Sequence, residues 1–193
     1  SSMTTQTPRR ADAQRNVQRI LEAAISCLAR RPNATMAEIA QVAGLGRVTL
    51  YGHFSSRAQL LDAVVAHLID VGEESLSGVD LEGDVWEALV RLIRSSWRLV
   101  DEARAVVAVA EGELPPARMR QLHDGPAARV EALIDRGRSG GVFRADLPTW
   151  WLVAMLHQIL HGAGAEVSAG RLSSTDAPDY IAATVHAVLR PPG

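Results

Sequence analysis

Residues 35–57 have the sequence TMAEIAQVAGLGRVTLYGHFSSR, which predicts two short helices joined by a tight turn. Thr35 and Glu38 are spaced as a capping box, so the first helix is expected to begin there. Gly44 lies where the chain has to turn, because glycine adopts left-handed backbone angles without strain. The stretch is therefore predicted to be a helix-turn-helix.

The second helix of this motif has one inward and one outward side. Gly46 is its predicted N-cap, and Leu50 and Phe54 are spaced to face the protein interior. Arg47 lies in the first turn, where a recognition helix meets base edges. Tyr51, His53 and Arg57 are expected to hold the phosphate backbone. The residues predicted to contact DNA are Thr35, Arg47, Val48, Thr49, Tyr51, His53 and Arg57.

The run from Ile39 to Leu61 resembles the DNA-binding domain of the TetR family of bacterial transcription regulators. The resemblance is carried by Thr49-Leu50-Tyr51-x-His53-Phe54, followed by Ser56 and Leu60-Leu61. Two positions depart from the family pattern. Gly46 replaces the usual serine or threonine, and Gly52 replaces a larger residue that often contacts bases. Base recognition is therefore expected to depend on Arg47, Val48 and Thr49.

The resemblance implies an all-α protein with an N-terminal three-helix DNA-binding domain and a larger helical domain for effector binding and dimerisation. We expect a flexible arm over 1–12, with Ser1-Ser2 left from tag removal, a DNA-binding domain over 13–60 and the helical domain over 61–193. Apolar periodicity and turn residues predict helices over 12–30, 35–43, 46–54, 55–77, 84–100, 102–112, 115–123, 125–139, 149–169 and 177–189.

Charge is distributed unevenly along the chain. Residues 1–60 contain eight arginines and three acids, a net of +5, whereas 61–193 contain twelve arginines and nineteen acids, a net of −7. A basic N-terminal third on an acidic body is typical of a protein that binds nucleic acid through one end. The single cysteine excludes an internal disulfide and fits a cytoplasmic protein, and no apolar run is long enough to span a membrane.

The second domain has no diagnostic motif, but its aromatic residues suggest a binding site. In a bundle of the TetR type, helix faces that carry tryptophan and methionine would line a cavity for a small apolar or aromatic effector. An aromatic stripe can equally be plain core. The residues predicted to bind the effector are Trp97, Met119, His123, Trp151, Met155 and Gln158.

The last two helices are the predicted dimer interface. Their apolar stripes would pair with the same helices of a second copy to form a four-helix bundle, as the family resemblance implies. The residues predicted at this interface are Trp150, Ala154, His157, His161, Ile181, Val185 and Val188.

Catalysis and cofactor binding have little support in the sequence. There is no nucleophile elbow, no phosphate-binding glycine loop and no Cys-x-x-Cys, so neither a catalytic residue nor a cofactor is predicted. His157 and His161 are spaced i, i+4 and could bind a metal, but without a third ligand nearby in the sequence we assign no metal site.

The sequence thus predicts a cytoplasmic homodimeric regulator, and more specifically a repressor that a small molecule releases from a palindromic operator in double-stranded DNA. One alternative is a regulator of the same fold that responds to a protein partner or to no ligand. Another is a helical enzyme or ligand carrier that retains a vestigial helix-turn-helix.

Overall fold

The computed structural model describes residues 6–124 and 127–193, and its regular secondary structure in these ranges is α-helical, without β-strands. The all-α class predicted from the sequence is confirmed. No helix in the described ranges is both long and apolar enough to cross a membrane. The helices are α1 (Gln6–Arg30), α2 (Met36–Ala43), α3 (Arg47–His53), α4 (Arg57–Ser77), α5 (Val85–Glu113), α6 (Pro116–Asp124), α7 (Ala127–Ser139), α8 (Thr149–Ser168) and α9 (Ala177–Leu189).

The first of two compact units consists of Ser1–Leu68 and Ala105–Met119. Within it, α1 packs against α2, and α2 packs against α3. Burying one aliphatic side chain stabilises a fold by roughly 1.5–3 kcal/mol, and several such side chains hold these helices together. The largest fully buried side chains of this unit are Ile20, Leu28, Ile39, Leu50, Leu60 and Leu61.

Both ends of α2 have the structure that the sequence predicts. The Thr35 hydroxyl accepts a hydrogen bond from the Glu38 N–H at 3.2 Å, and the Glu38 carboxylate accepts one from the Thr35 N–H at 2.9 Å. Gly44 ends the helix with a φ of 70°, in the left-handed region. The Gly44 N–H donates to the carbonyl of Gln41, and the Leu45 N–H donates to that of Ala40. This Schellman motif satisfies the last carbonyls of α2 and starts the turn into α3.

The second compact unit consists of Ile69–Arg104 and Arg120–Gly193. In it, α8 packs against both α7 and α9, and the first part of α5 supplies buried residues to the same core. The buried side chains of this core include Leu89, Leu92, Trp97, Ile134, Phe143, Leu152, Ile181, Val185 and Leu189.

Gly137 in α7 allows the loop after this helix to fold back onto it. The N–H groups of Val142 and Phe143 donate to the Gly137 carbonyl at 2.9 and 3.0 Å. The Phe143 ring covers Gly137 so closely that a Cβ atom on this residue would lie 2.1 Å from a ring carbon. Phe143 is buried as a result, and its ring closes one side of the core.

Two predicted elements were wrong at their ends. The break predicted near residue 101 is absent, because α5 has no glycine or proline before Gly112 and therefore continues from Val85 to Glu113. Residues 6–12 of the predicted arm belong to α1, whose first turn tolerates Pro8 because the N–H groups there have no acceptor within the helix. The remaining residues of the predicted arm, 1–5, lie outside the described residues.

Substituting Gly137 should destabilise the second unit, because the Phe143 ring lies directly against this residue. Gly137→Ala forces the Phe143 ring to move, and we expect a loss of about 1–3 kcal/mol in the free energy of unfolding. The matched control is Gly72→Ala, since the nearest atom to its added methyl group is 3.5 Å away and alanine favours the helix. All four tryptophans belong to the second unit, so urea unfolding followed by tryptophan fluorescence measures both effects there. Equal unfolding midpoints for Gly137→Ala and the parent would contradict the contact.

Candidate DNA-binding surface and histidine cluster

The outward face of α3 consists of Arg47, Val48, Thr49 and Tyr51, all of them exposed. Leu50 has no exposed surface, which sets the rotation of the helix and turns these four side chains outward. Val48 is 88% exposed, so its methyl groups are free to contact the methyl group of a thymine. Arg47 can donate two hydrogen bonds to a guanine, and the Thr49 hydroxyl can bond to several bases. The face can thus contact bases in the major groove through an apolar side chain, a guanidinium and a hydroxyl group.

A groove of about 600 Å³ lies beside this face, at the N-terminus of α2. The first N–H groups of a helix have no acceptor within the helix and carry a partial positive charge, so this end of α2 favours an anion. Side chains from α3 line the same groove, which brings donors from both helices to one place. The groove is lined by Asn33, Ala34, Thr35, Met36, Ala37, Arg47, Tyr51, Arg57 and Glu113.

The Arg57 side chain has several partners within its own unit. Its Nε donates to the Glu113 carboxylate at 2.8 Å, and its terminal nitrogens donate to the carbonyls of Pro32, at 3.0 Å, and of Ala34. These bonds tie the α1–α2 connection to the start of α4 and to the end of α5. A phosphate contact by Arg57 stays a prediction, and the structure adds that this guanidinium positions the loop before α2.

The other predicted DNA contacts differ in exposure. Thr35 is exposed and lines the groove while it also caps α2. His53 is half-buried in the last turn of α3. All seven predicted residues belong to the first compact unit, and their contacts with DNA stay predictions.

The residues predicted to bind an effector lie in different surroundings. Trp97 is packed in the core of the second unit, and its indole N–H donates to the Ser174 carbonyl at 3.0 Å. Trp151 and Gln158 are exposed, and their contact with an effector stays a prediction. Met119 is buried in the first unit, and Met155 is half-buried in the second. Amphipathic spacing identified helix faces correctly but did not separate core from pocket or surface.

The predicted dimer interface also needs correction. Ile181 and Val185 are 2% and 1% exposed because they fill the core of their own subunit, so neither side chain can reach a second copy. Val188 and Ala154 are half-buried. Trp150 is 67% exposed, so its side chain is accessible to a second copy, and its role in pairing stays a prediction. An apolar stripe on a helix indicates that other apolar side chains cover it. The side chains that cover the stripe of α9 belong to the same chain.

One exposed aromatic side chain that the sequence did not assign to the interface, that of Trp151, lies against Trp150. Its ring meets that of Trp151 edge-to-face, with centroids 5.9 Å apart, and Trp151 is itself 42% exposed. Tyr180, near the start of α9, is 63% exposed. Trp150 and Trp151 thus give the start of α8 an exposed aromatic surface.

The second unit also brings three histidines together. The Nε2 atoms of His157 and His161 are 3.1 Å apart, one turn from each other on α8. The His123 ring, from α6, lies edge-on to both, with centroid distances of 5.5 and 5.6 Å. One ring nitrogen from each histidine lies within 4.8 Å of the other two. The sequence indicated the i, i+4 pair but contained no signal that α6 would deliver a third imidazole to it.

The environment of this cluster keeps one of its members neutral. Burial, together with the neighbouring His161 and His123 rings, lowers the pKa of His157 to about 4. The imidazole of His157 is therefore neutral at neutral pH, so one of its nitrogens carries a hydrogen and can donate a hydrogen bond, and the other has a free lone pair.

The helix-turn-helix lies in the part of the chain that matches a known protein family. Residues 20–64 match the family model of bacterial regulatory proteins, tetR family. The transcriptional repressor LfrR of Mycolicibacterium smegmatis is 36% identical over 77 residues, which make up 39% of this chain and 41% of LfrR. The transcriptional regulator NfxB of Pseudomonas aeruginosa is 26% identical over 167 residues, which make up 82% of this chain and 86% of NfxB.

The likeness in structure extends over both compact units. The crystal structure of LfrR from Mycobacterium smegmatis, in complex with proflavine, superposes with a TM-score of 0.68 at 24% identity. The match covers 90% of this chain and 96% of the LfrR chain. The two chains therefore share one fold, including the larger helical part that follows the helix-turn-helix.

Removing the Arg57 side chain should lower the stability of the first unit. Arg57→Ala leaves two carbonyls and a carboxylate without their donor, and we expect a loss of about 1–3 kcal/mol in the free energy of unfolding. Glu113→Gln is the control, since it removes the partly exposed ion pair but keeps the bonds to the carbonyls, and should cost less than about 1 kcal/mol. Far-UV circular dichroism during urea unfolding measures both. A larger loss for Glu113→Gln than for Arg57→Ala would contradict this role of the carbonyls.

Proposed function

Because the chain belongs to the TetR family of bacterial regulatory proteins, we propose that it is a homodimeric transcriptional repressor that a small molecule releases from a palindromic operator. It is a DNA-binding transcription regulator and not an enzyme. Repression is proposed because the similar protein LfrR is a transcriptional repressor.

The observation that carries the proposal is the convergence of the outward face of α3 and the N-terminus of α2 on one groove. In the proposed complex α3 enters the major groove of DNA, with Arg47, Val48 and Thr49 at the base edges. A backbone phosphate then occupies the groove at the start of α2, held by helix N–H groups and the Tyr51 hydroxyl. The net charge of +5 over residues 1–60 favours this orientation over any approach by the acidic remainder of the chain.

A dimer follows from what one recognition helix can read. The outward face of α3 offers three side chains to base edges, which specify too few base pairs to find one site in a genome. Two copies related by a two-fold axis read two half-sites about one helical turn apart, which makes the operator a palindrome. We propose that the exposed aromatic surface of Trp150 and Trp151 contributes to pairing, in place of the buried Ile181 and Val185.

The effector is proposed from the relative and from the fold. LfrR has been crystallised with proflavine, an aromatic compound, and this chain has the same fold over nearly its whole length. We propose that a small aromatic molecule binds the second unit of this chain and lowers its affinity for the operator. A regulator that responds to a protein, or to nothing, would instead show no compound-dependent change in operator affinity when a library of aromatic compounds is tested.

Loss of the Arg47 side chain should weaken binding to the operator far more than binding to random DNA. Arg47→Ala removes a bidentate base contact, which is worth about 1–3 kcal/mol of discrimination. The control is Arg98→Ala, which removes the same charge from an exposed position on α5. Fluorescence anisotropy with a duplex selected from random sequence, at several salt concentrations, measures both. An equal loss on selected and random duplexes would reassign Arg47 to the phosphate backbone.

A charge in the exposed aromatic surface should weaken the dimer. Trp151→Asp introduces a carboxylate where apolar contact is proposed, and we expect at least a tenfold rise in the dimer dissociation constant, which corresponds to about 1.4 kcal/mol. Val142→Asp is the control, because Val142 is comparably exposed in the loop after α7. Sedimentation equilibrium at micromolar concentration measures both variants. If Val142→Asp weakened the dimer and Trp151→Asp did not, the pairing surface would lie elsewhere in the second unit.

A further inference from the structure

The histidine cluster of the second unit has the composition and spacing of a metal site. We propose that His123, His157 and His161 together bind one divalent transition-metal ion, of the class that includes zinc, nickel and cobalt. The site belongs to the second unit and shares no residue with the proposed DNA-binding surface. The inference therefore does not depend on the proposed function.

The distances within the cluster are close to those of a coordinated set. Two nitrogens bound to one tetrahedral zinc ion lie about 3.3 Å apart, since each zinc–nitrogen bond is about 2.0–2.1 Å. The Nε2 atoms of His157 and His161 are 3.1 Å apart before any ion is present. The third nitrogen is within 4.8 Å of both, and a rotation of the His123 side chain would close this gap. Two of the three ligands are thus already in position on a rigid helix.

The donor atoms decide the class of ion. Three imidazoles are a set that favours zinc, copper, nickel and cobalt over magnesium or calcium, which prefer oxygen ligands. The set adds no negative charge, so the bound ion would keep its charge of +2. Three protein ligands also leave a fourth position open for water or a small anion.

The position of the ligands gives the ion a structural effect. His123 is at the end of α6, whereas His157 and His161 are in the middle of α8. One ion bound to all three would connect these helices through coordinate bonds, in addition to the edge-on ring contacts between them. All three side chains are half-buried, so an ion can reach them from solvent. Metal binding should therefore raise the melting temperature of the second unit.

The test measures zinc and cobalt binding by the full chain after treatment with a chelator. We expect one zinc ion per chain by isothermal titration, and visible absorption bands from Co(II) in a four-coordinate site. His123→Ala and His161→Ala should each weaken zinc binding by at least about 100-fold. Loss of a residue that only supports a metal ligand costs about 10–100-fold, and loss of a ligand itself should cost at least as much. His186→Ala is the matched control, because His186 is an exposed histidine of the same unit that contacts Trp86 and not the cluster.

The melting temperature of each variant, measured with and without zinc, distinguishes a folded variant that lacks the site from a misfolded one. A folded variant that lacks the site melts cooperatively at a temperature that zinc does not change, whereas the parent and His186→Ala melt at a higher temperature when zinc is added. The proposal is overturned if the parent binds no zinc at millimolar concentration. It is also overturned if His123→Ala and His161→Ala bind zinc as tightly as His186→Ala does.

Discussion

The left-handed turn at Gly44 is the constraint on which the proposed DNA-binding surface depends. An L-residue with a side chain would be strained there by about 1–2 kcal/mol, and its Cβ would lie 2.8 Å from the Arg19 guanidinium. With glycine, the turn needs only the two hydrogen bonds to Ala40 and Gln41. Because the turn closes in so few residues, α3 is held against α2 in one orientation, and Leu50 is then buried beneath it.

The stability of α3 comes from this packing and not from the helix itself. A helix of seven residues is far too short to persist alone in water. Its N-cap, Gly46, provides no side-chain hydrogen bond, and Gly52 is an unfavourable residue inside a helix. The burial of Leu50 and Phe54 offsets these costs. The side of α3 that is proposed to recognise DNA consequently makes no contribution to packing, so its residues can serve contacts with bases.

Local signals in the sequence predicted the fold well, and interactions between distant residues explain the failures. The capping box at Thr35 and the glycine at residue 44 act within a few residues, so the ends of α2 could be read directly. The stripe containing Ile181 and Val185 was recognised as covered, but periodicity cannot say whether its cover comes from the same chain or from a second copy. Likewise, nothing near His123 in the sequence indicates that α6 ends beside α8, so the third histidine of the cluster could be found only from the structure.

The central claim is that the face of α3 and the N-terminus of α2 together form the surface that meets DNA. The most direct measurement is the change in backbone amide chemical shifts of the isotope-labelled, deuterated protein when a selected duplex is added. The account predicts the largest changes at Arg47, Val48, Thr49 and Tyr51 and at the first amides of α2, Met36 and Ala37. Tight binding of the same duplex with unchanged amides in α2 and α3, and with the largest changes in the second unit, would contradict it.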